Sequence, residues 1–157
     1  MGDLWNGLSL EDECLFTPKE YLEKQSKGLL TKTKNLLYLE IKQYEPMEYS
    51  KTTYITPREI MSNTSSEKTL YKKQILHFKV GLKSKTIDYE YEILTFNHDI
   101  ACFPVEISLN PDIVINSALD LKRIRSFSQF ENIMQVVFSN AKIINVIQSM
   151  YSMSRIR

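Results

Sequence analysis

The chain lacks the concentrated chemistry by which many enzymes announce themselves. Two histidines, His77 and His98, and two cysteines, Cys14 and Cys102, are too few and too scattered for a four-ligand transition-metal set, so no metal and no cofactor is expected. Four separate glycines, Gly2, Gly7, Gly28 and Gly81, leave no glycine-rich phosphate loop, and no G-x-S-x-G elbow surrounds any serine. No apolar run approaches the roughly 18 residues of a membrane span. The first residues, MGDLWNGLSLEDE, are acidic rather than basic and then apolar, so they do not read as a secretory signal, and the expected location is cytoplasmic. Nor does one sign of charge dominate: 20 Lys+Arg stand against 19 Asp+Glu, a formal charge of +1, which removes the whole-chain footprint for nucleic acid or an anionic membrane. The two cysteines are far apart and unpatterned, and read as reduced thiols, with Cys102 buried.

What is present is ordinary globular composition, 43% apolar and 25% charged over 157 residues, enough for one domain with a core. Its centre is Leu70 to Leu109, where three strands follow one another. Leu76, Phe78, Val80 and Leu82 alternate with more polar neighbours, as do Ile87, Tyr89, Tyr91 and Ile93. With Lys83 to Thr86 as a four-residue loop, Val80 falls opposite Tyr89 and Phe78 opposite Tyr91. Lys79 then meets Glu90, and His77 becomes a structural partner of Glu92. Pro104 interrupts the third run, Cys102 to Leu109, which is therefore an edge strand or starts beyond the proline.

Around this stretch the pattern is helix, two strands, three strands, two helices. Thr17-Pro18-Lys19-Glu20 is a helix start with a capping box, and the helix should reach about Asn35 with Tyr21, Leu22, Leu29 and Leu30 as its apolar stripe. Leu36 to Tyr44 reads as the first strand, Tyr49 to Thr56 as its antiparallel return, Pro57 to Met61 as a short helical turn, and Ser62 to Lys68 as an exposed loop. Ile113 to Ile124 is ambiguous. A second capping box from Ser128 to Glu131 opens a helix carrying Phe130, Ile133, Met134, Val137 and Phe138. Ser139-Asn140 stops it and caps a last helix with Ile143, Ile144, Ile147, Met150 and Tyr151. The organisation expected is an N-terminal arm over 1–16, one α+β domain over 17–152 with a mostly antiparallel sheet of about five strands whose one face the helices cover, and a frayed tail over 153–157.

His98-Asp99 is the pair that could ligate a divalent metal in a hydrolase or nuclease, with Glu106 as a further acid. The separate histidines and second aspartate that such chemistry needs are missing, and Asp99 capping the amides of a turn is the plainer expectation. Glu40-Ile41-Lys42 is half of a nuclease-type Glu-x-Lys element without its preceding aspartate, and reads better as a charged strand face. Trp5, the single tryptophan, anchors the arm to the domain or to a partner. Tyr89 and Tyr91, with the other tyrosines and lysines, are core packing or a platform for single-stranded bases.

Three segments together, Thr17-Pro-Lys-Glu-Tyr-Leu-Glu-Lys-Gln25 with Thr31-Lys-Thr-Lys-Asn35, His98-Asp-Ile-Ala-Cys-Phe-Pro-Val-Glu-Ile107, and Phe130-Glu through Phe138-Ser-Asn to Val146-Ile147, resemble a family of small uncharacterised bacterial proteins. The resemblance spans about residues 17–152. It implies a bacterial source and an α+β module, and no activity. The functional expectation is a non-enzymatic interaction or regulatory module with a protein partner, self-association through the sheet edge or terminal helices included. A hydrolase using His98, Asp99 and Glu106 is the enzyme alternative, and single-stranded nucleic-acid binding is the third.

Overall fold

Thr17 is where the described chain begins: the structure, a computed structural model, describes residues 17–46, 74–116 and 118–156. The capping box forms as its residue types require. Thr17 Oγ1 accepts from the Glu20 amide at 3.1 Å and the Glu20 carboxylate accepts from the Thr17 amide at 3.1 Å, so α1 (Pro18–Lys32) begins with its first orphan donors satisfied. It ends three residues before Asn35, because Lys34 and Asn35 enter the left-handed region, at φ 54° and 66°, and turn the chain back. The strands β1 (Leu37–Tyr44), β2 (Leu76–Ser84), β3 (Glu90–His98) and β4 (Glu106–Leu109) pair antiparallel in sequence order, and α2 (Phe127–Phe138) and α3 (Ala141–Arg155) follow.

The α+β expectation holds, with four strands among the described residues against the five or so expected. The arm 1–16 with Trp5 and Cys14, the return strand at 49–56, the turn at 57–61 and the loop at 62–68 all lie outside the described residues. β4 starts two residues past Pro104, as an edge strand. The described residues of the stretch 113–124 form no helix and no ladder strand. It instead lies along the outer side of β4. Val105 and Ile124 exchange amide hydrogen bonds at 2.8 and 2.9 Å, and the Ile107 amide donates to Leu121 O at 2.8 Å.

The register between β2 and β3 differs from expectation. Leu82 faces Tyr91, Val80 faces Leu94, Phe78 faces Phe96 and His77 faces Asn97, with a bulge between the first two pairs. Ile93 is the extra residue, and it breaks the alternation so that both Ile93 and Leu94 are buried. His77 is thus not the cross-strand partner of Glu92, which faces Gly81, and Lys79 meets Thr95 instead of Glu90. The hairpin loop is also longer than four residues, since Lys83 pairs with Glu90. Ser84 Oγ gathers it by accepting from the amides of Thr86 and Ile87 at 3.1 and 3.3 Å. The tail expected to fray holds the same loop. α3 stays helical through Arg155, the Ser84 and Ser154 hydroxyls lie 2.7 Å apart, and Thr86 Oγ1 donates to Ser154 O at 3.1 Å.

Two caps fall where expected and one does not. Asn140 accepts from the Lys142 amide to start α3. α2 starts two residues earlier than a Ser128 cap would allow: Ser126 Oγ accepts from the Gln129 amide, while Gln129 Oε1 reaches back to the Arg125 amide. Ser-x-x-Gln over 126–129 forms the cap in place of Ser-x-x-Glu over 128–131, and α2 turns Phe130, Ile133, Met134 and Val137 to the core.

The core lies between one sheet face and the helices. Leu37 and Leu39 of β1, Phe78, Val80 and Leu82 of β2, Leu94 and Phe96 of β3 and Ile107 of β4 meet Leu22 of α1, Phe130, Met134 and Val137 of α2, and Ile143 and Met150 of α3. Helix α1 sits at the β1 end and does more than pack. Ser26 Oγ accepts from the Leu39 amide at 2.9 Å and donates to Leu39 O at 3.0 Å, and Thr33 Oγ1 accepts from the Leu37 amide at 3.0 Å. These hydroxyls stand in for a neighbouring strand, satisfying backbone groups that β1 turns away from β2.

Candidate functional site

The hydrolase candidates do not converge. His98 ends β3 on the core side, 5% exposed, with its ring stacked on Phe78 at 5.6 Å and Phe96 at 6.1 Å. Its Nδ1 donates to Asp99 O at 2.7 Å, and its Nε2 is buried and without a partner. Asp99 turns away into the loop, where Oδ1 accepts from the Ala101 amide at 2.9 Å, the local capping role its place in a turn favours. Glu106 pairs with Asn97 across the strands and accepts from its Nδ2 at 3.2 Å, so it occupies the sheet face opposite to His98. Among the described residues no three His, Cys, Asp or Glu side chains are grouped to hold a metal ion.

A buried histidine with a bare nitrogen still calls for an account. We expect His98→Phe to fold with stability within about 1 kcal/mol of the native chain, because it keeps the ring stack and removes a polar atom that gains nothing in the interior. Asp99 O keeps the Cys102 amide as a donor at 3.0 Å. Chemical denaturation checks this; a loss above about 2 kcal/mol would mean that Nε2 has a structural partner such as a buried water.

The one cysteine among the described residues, half-buried where full burial was expected, is no better prepared. Cys102 sits at φ 75° beside the cis Phe103–Pro104 bond, and burial, then the carboxylates of Asp99 and Glu20, push its thiol above the usual range, away from the reactive thiolate. Glu40 is engaged by Lys83 at 3.5 Å across the outer sheet face, which raises the lysine's pKa. On that face Glu40, Glu90, Glu92 and Glu106 interleave with Lys42, Lys79 and Lys83, a mixture that repels as many phosphates as it attracts. The two candidate tyrosines also part company. Tyr91 points inward opposite Leu82, its hydroxyl buried without a partner and pushed up in pKa by that burial, whereas Tyr89 is about half exposed just before β3.

The feature the sequence reading missed is a groove. α1 carries two parallel stripes. Leu22, Ser26, Leu29 and Thr33 form the row on the β1 side, while Tyr21, Gln25, Gly28 and Lys32, at the i, i+4, i+7 and i+11 positions of the next row, face a cleft of about 810 Å³ that Leu29 and Thr33 also reach. Met134 and Phe138 of α2 and Ile144, Ile147, Gln148 and Tyr151 of α3 form the far side, and Leu39 lies at its floor. At one end of the cleft the Tyr21 ring meets Phe127 at 5.5 Å and Phe130 at 5.9 Å, both edge-on. Burial at this seam, then the Glu131 carboxylate, raises the pKa of the Tyr21 hydroxyl and keeps it protonated as a donor. In the sequence Tyr21 belongs to the apolar stripe and Lys32 to the solvent side of the helix, so nothing marks Tyr21, Gln25, Gly28 and Lys32 as one surface.

No family model matches the chain, and neither does any curated protein or solved structure. Among the described residues no helix is long and apolar enough to cross a membrane.

Proposed function

We propose that this chain is a non-enzymatic protein-interaction module whose binding surface is the groove between α1 and the pair α2 and α3. The observation that carries the reading is the groove itself. Leu29, Leu39, Met134, Phe138, Ile144 and Ile147 give it an apolar lining, Ile144 is 40% exposed, and the polar groups stand at its rim. A cleft of about 810 Å³ with that distribution is a recognition surface in both size and chemistry. The acids and histidine that catalysis would need lie elsewhere and on opposite sheet faces.

A photo-crosslinking amino acid placed at Gln148, on the groove, is expected to give a discrete protein adduct in cells of the native host. The same group at Ser108, on the outer sheet face, should give none. Adducts from Ser108 alone, or turnover of a phosphoester or peptide substrate that is lost on His98→Phe, would overturn the reading.

A further inference from the structure

We infer that the groove receives a short amphipathic helix bearing a carboxylate at the end that meets Lys32, an inference that rests on the interaction reading above and names its partner's chemistry. Three observations converge on that occupant.

The first is length. From Tyr21 to Lys32 the α1 wall runs eleven residues, roughly 16 Å at the helical rise, or three turns. A helix of three to four turns places apolar anchors at i, i+4 and i+7 along such a wall, the spacing at which α3 offers Ile144, Ile147 or Gln148, and Tyr151 on the other side.

The second is Gly28. Glycine inside a helix costs roughly 1 kcal/mol relative to alanine. Here neither a left-handed backbone nor close packing within the chain requires it: φ is ordinary, and a Cβ built on it meets nothing within 4 Å. The position nevertheless faces the groove midway along its wall. A bare backbone patch at the centre of an apolar cleft lets another helix approach closely, as small residues do where helices cross.

The third is charge. Lys32 lines the end away from the Tyr21 seam, and its side chain forms no ion pair or hydrogen bond among the described residues. It also stands in the last turn of α1, and among the described residues the rest of the lining contributes neutral amides, hydroxyls and apolar side chains, so the formal charge these residues bring to the groove is positive. An occupant with a carboxylate at that end is matched to it, while a basic one is opposed.

Selection from a displayed library of three- to four-turn helices, with apolar residues at i, i+4 and i+7 and both ends randomised, tests this on the full chain. Binders are expected to carry Asp or Glu at one end. They should lose at least tenfold in affinity for Gly28→Met, which fills the cleft while improving helix propensity and leaving the melting temperature unchanged or raised. Binding of an acidic binder should fall about fivefold or more with Lys32→Glu, and a version with Lys at the same position should regain it on that variant. Binders that depend on Gly28 but are indifferent to charge would overturn the carboxylate while sparing the groove. Binders blind to Gly28→Met would overturn both. Displacement of the selected helices by dodecanoate at comparable affinity would make a small amphiphile the occupant, and a dimer in sedimentation that dissociates on Gly28→Met would make it a second copy; either result overturns the inference.

Discussion

Ser26→Ala should destabilise the fold by about 2–4 kcal/mol, although alanine is the better helix former by a few tenths of a kcal/mol. Propensity and tertiary structure here make predictions of opposite sign. On its own helix Ser26 is a weak residue in an interior position. In the fold its hydroxyl is the partner of both the amide and the carbonyl of Leu39, which is itself buried. Removing the hydroxyl leaves two polar backbone groups unpaired at the sheet edge, each costing roughly 1–3 kcal/mol. For a chain of this size the melting temperature should fall by about 6–12 °C. Thermal and urea unfolding read the sign directly, and an alanine variant as stable as the native chain would show that another group caps Leu39. Thr33→Val, which keeps shape and removes the hydroxyl from Leu37, should act in the same direction.

Phe96→Ala is expected to cost about 3–5 kcal/mol, the upper range for a single core truncation. Phe96 is 1% exposed and sits where the layers join. Its ring stacks on Phe78 at 4.9 Å, from the neighbouring strand, and meets Phe130 of α2 edge-on at 6.1 Å. Truncation therefore empties a space walled by both sheet and helix, which neither can close without moving the other. Phe96→Leu keeps most of the volume and should cost roughly half as much or less. A fall in denaturation midpoint with unchanged slope is the expected signature. A loss below about 1 kcal/mol would mean that α2 shifts to refill the space, and so is held less firmly than these ring contacts imply.

Elements whose signals are local were legible in the sequence. Thr17, Pro18 and Glu20 specify the start of α1 among neighbours three residues apart, Asn140 does the same for α3, and the alternation in β2 declares its buried face. What escaped reading depends on residues distant in the chain. The length of the β2–β3 loop is held by Ser154 about seventy residues away, and the bulge at Ile93 is tied down by Asn110, whose amide donates to Ile93 O at 2.9 Å and whose Nδ2 donates to Glu92 O at 2.7 Å. An alternating pattern carries no mark for an extra residue, so a register counted from the loop inherits the error along the whole strand. The groove escaped for a related reason. It is an absence of packing between helices, and the sequence assigns Tyr21 to the apolar stripe and Lys32 to solvent, so the row does not show as one surface.

The segment from Leu121 to Ile124 has a consequence for how copies of this chain can join. Its backbone occupies the hydrogen-bonding positions that Val105 and Ile107 turn outward, so β4 cannot nucleate a growing ribbon of strands from other molecules. Polymerisation by strand addition is closed on that side. Growth from the opposite side would have to start beyond Leu37 and Leu39, whose outward groups are already taken by α1. A crowded solution of this protein should accordingly resist strand addition at β4 while the sheet is intact.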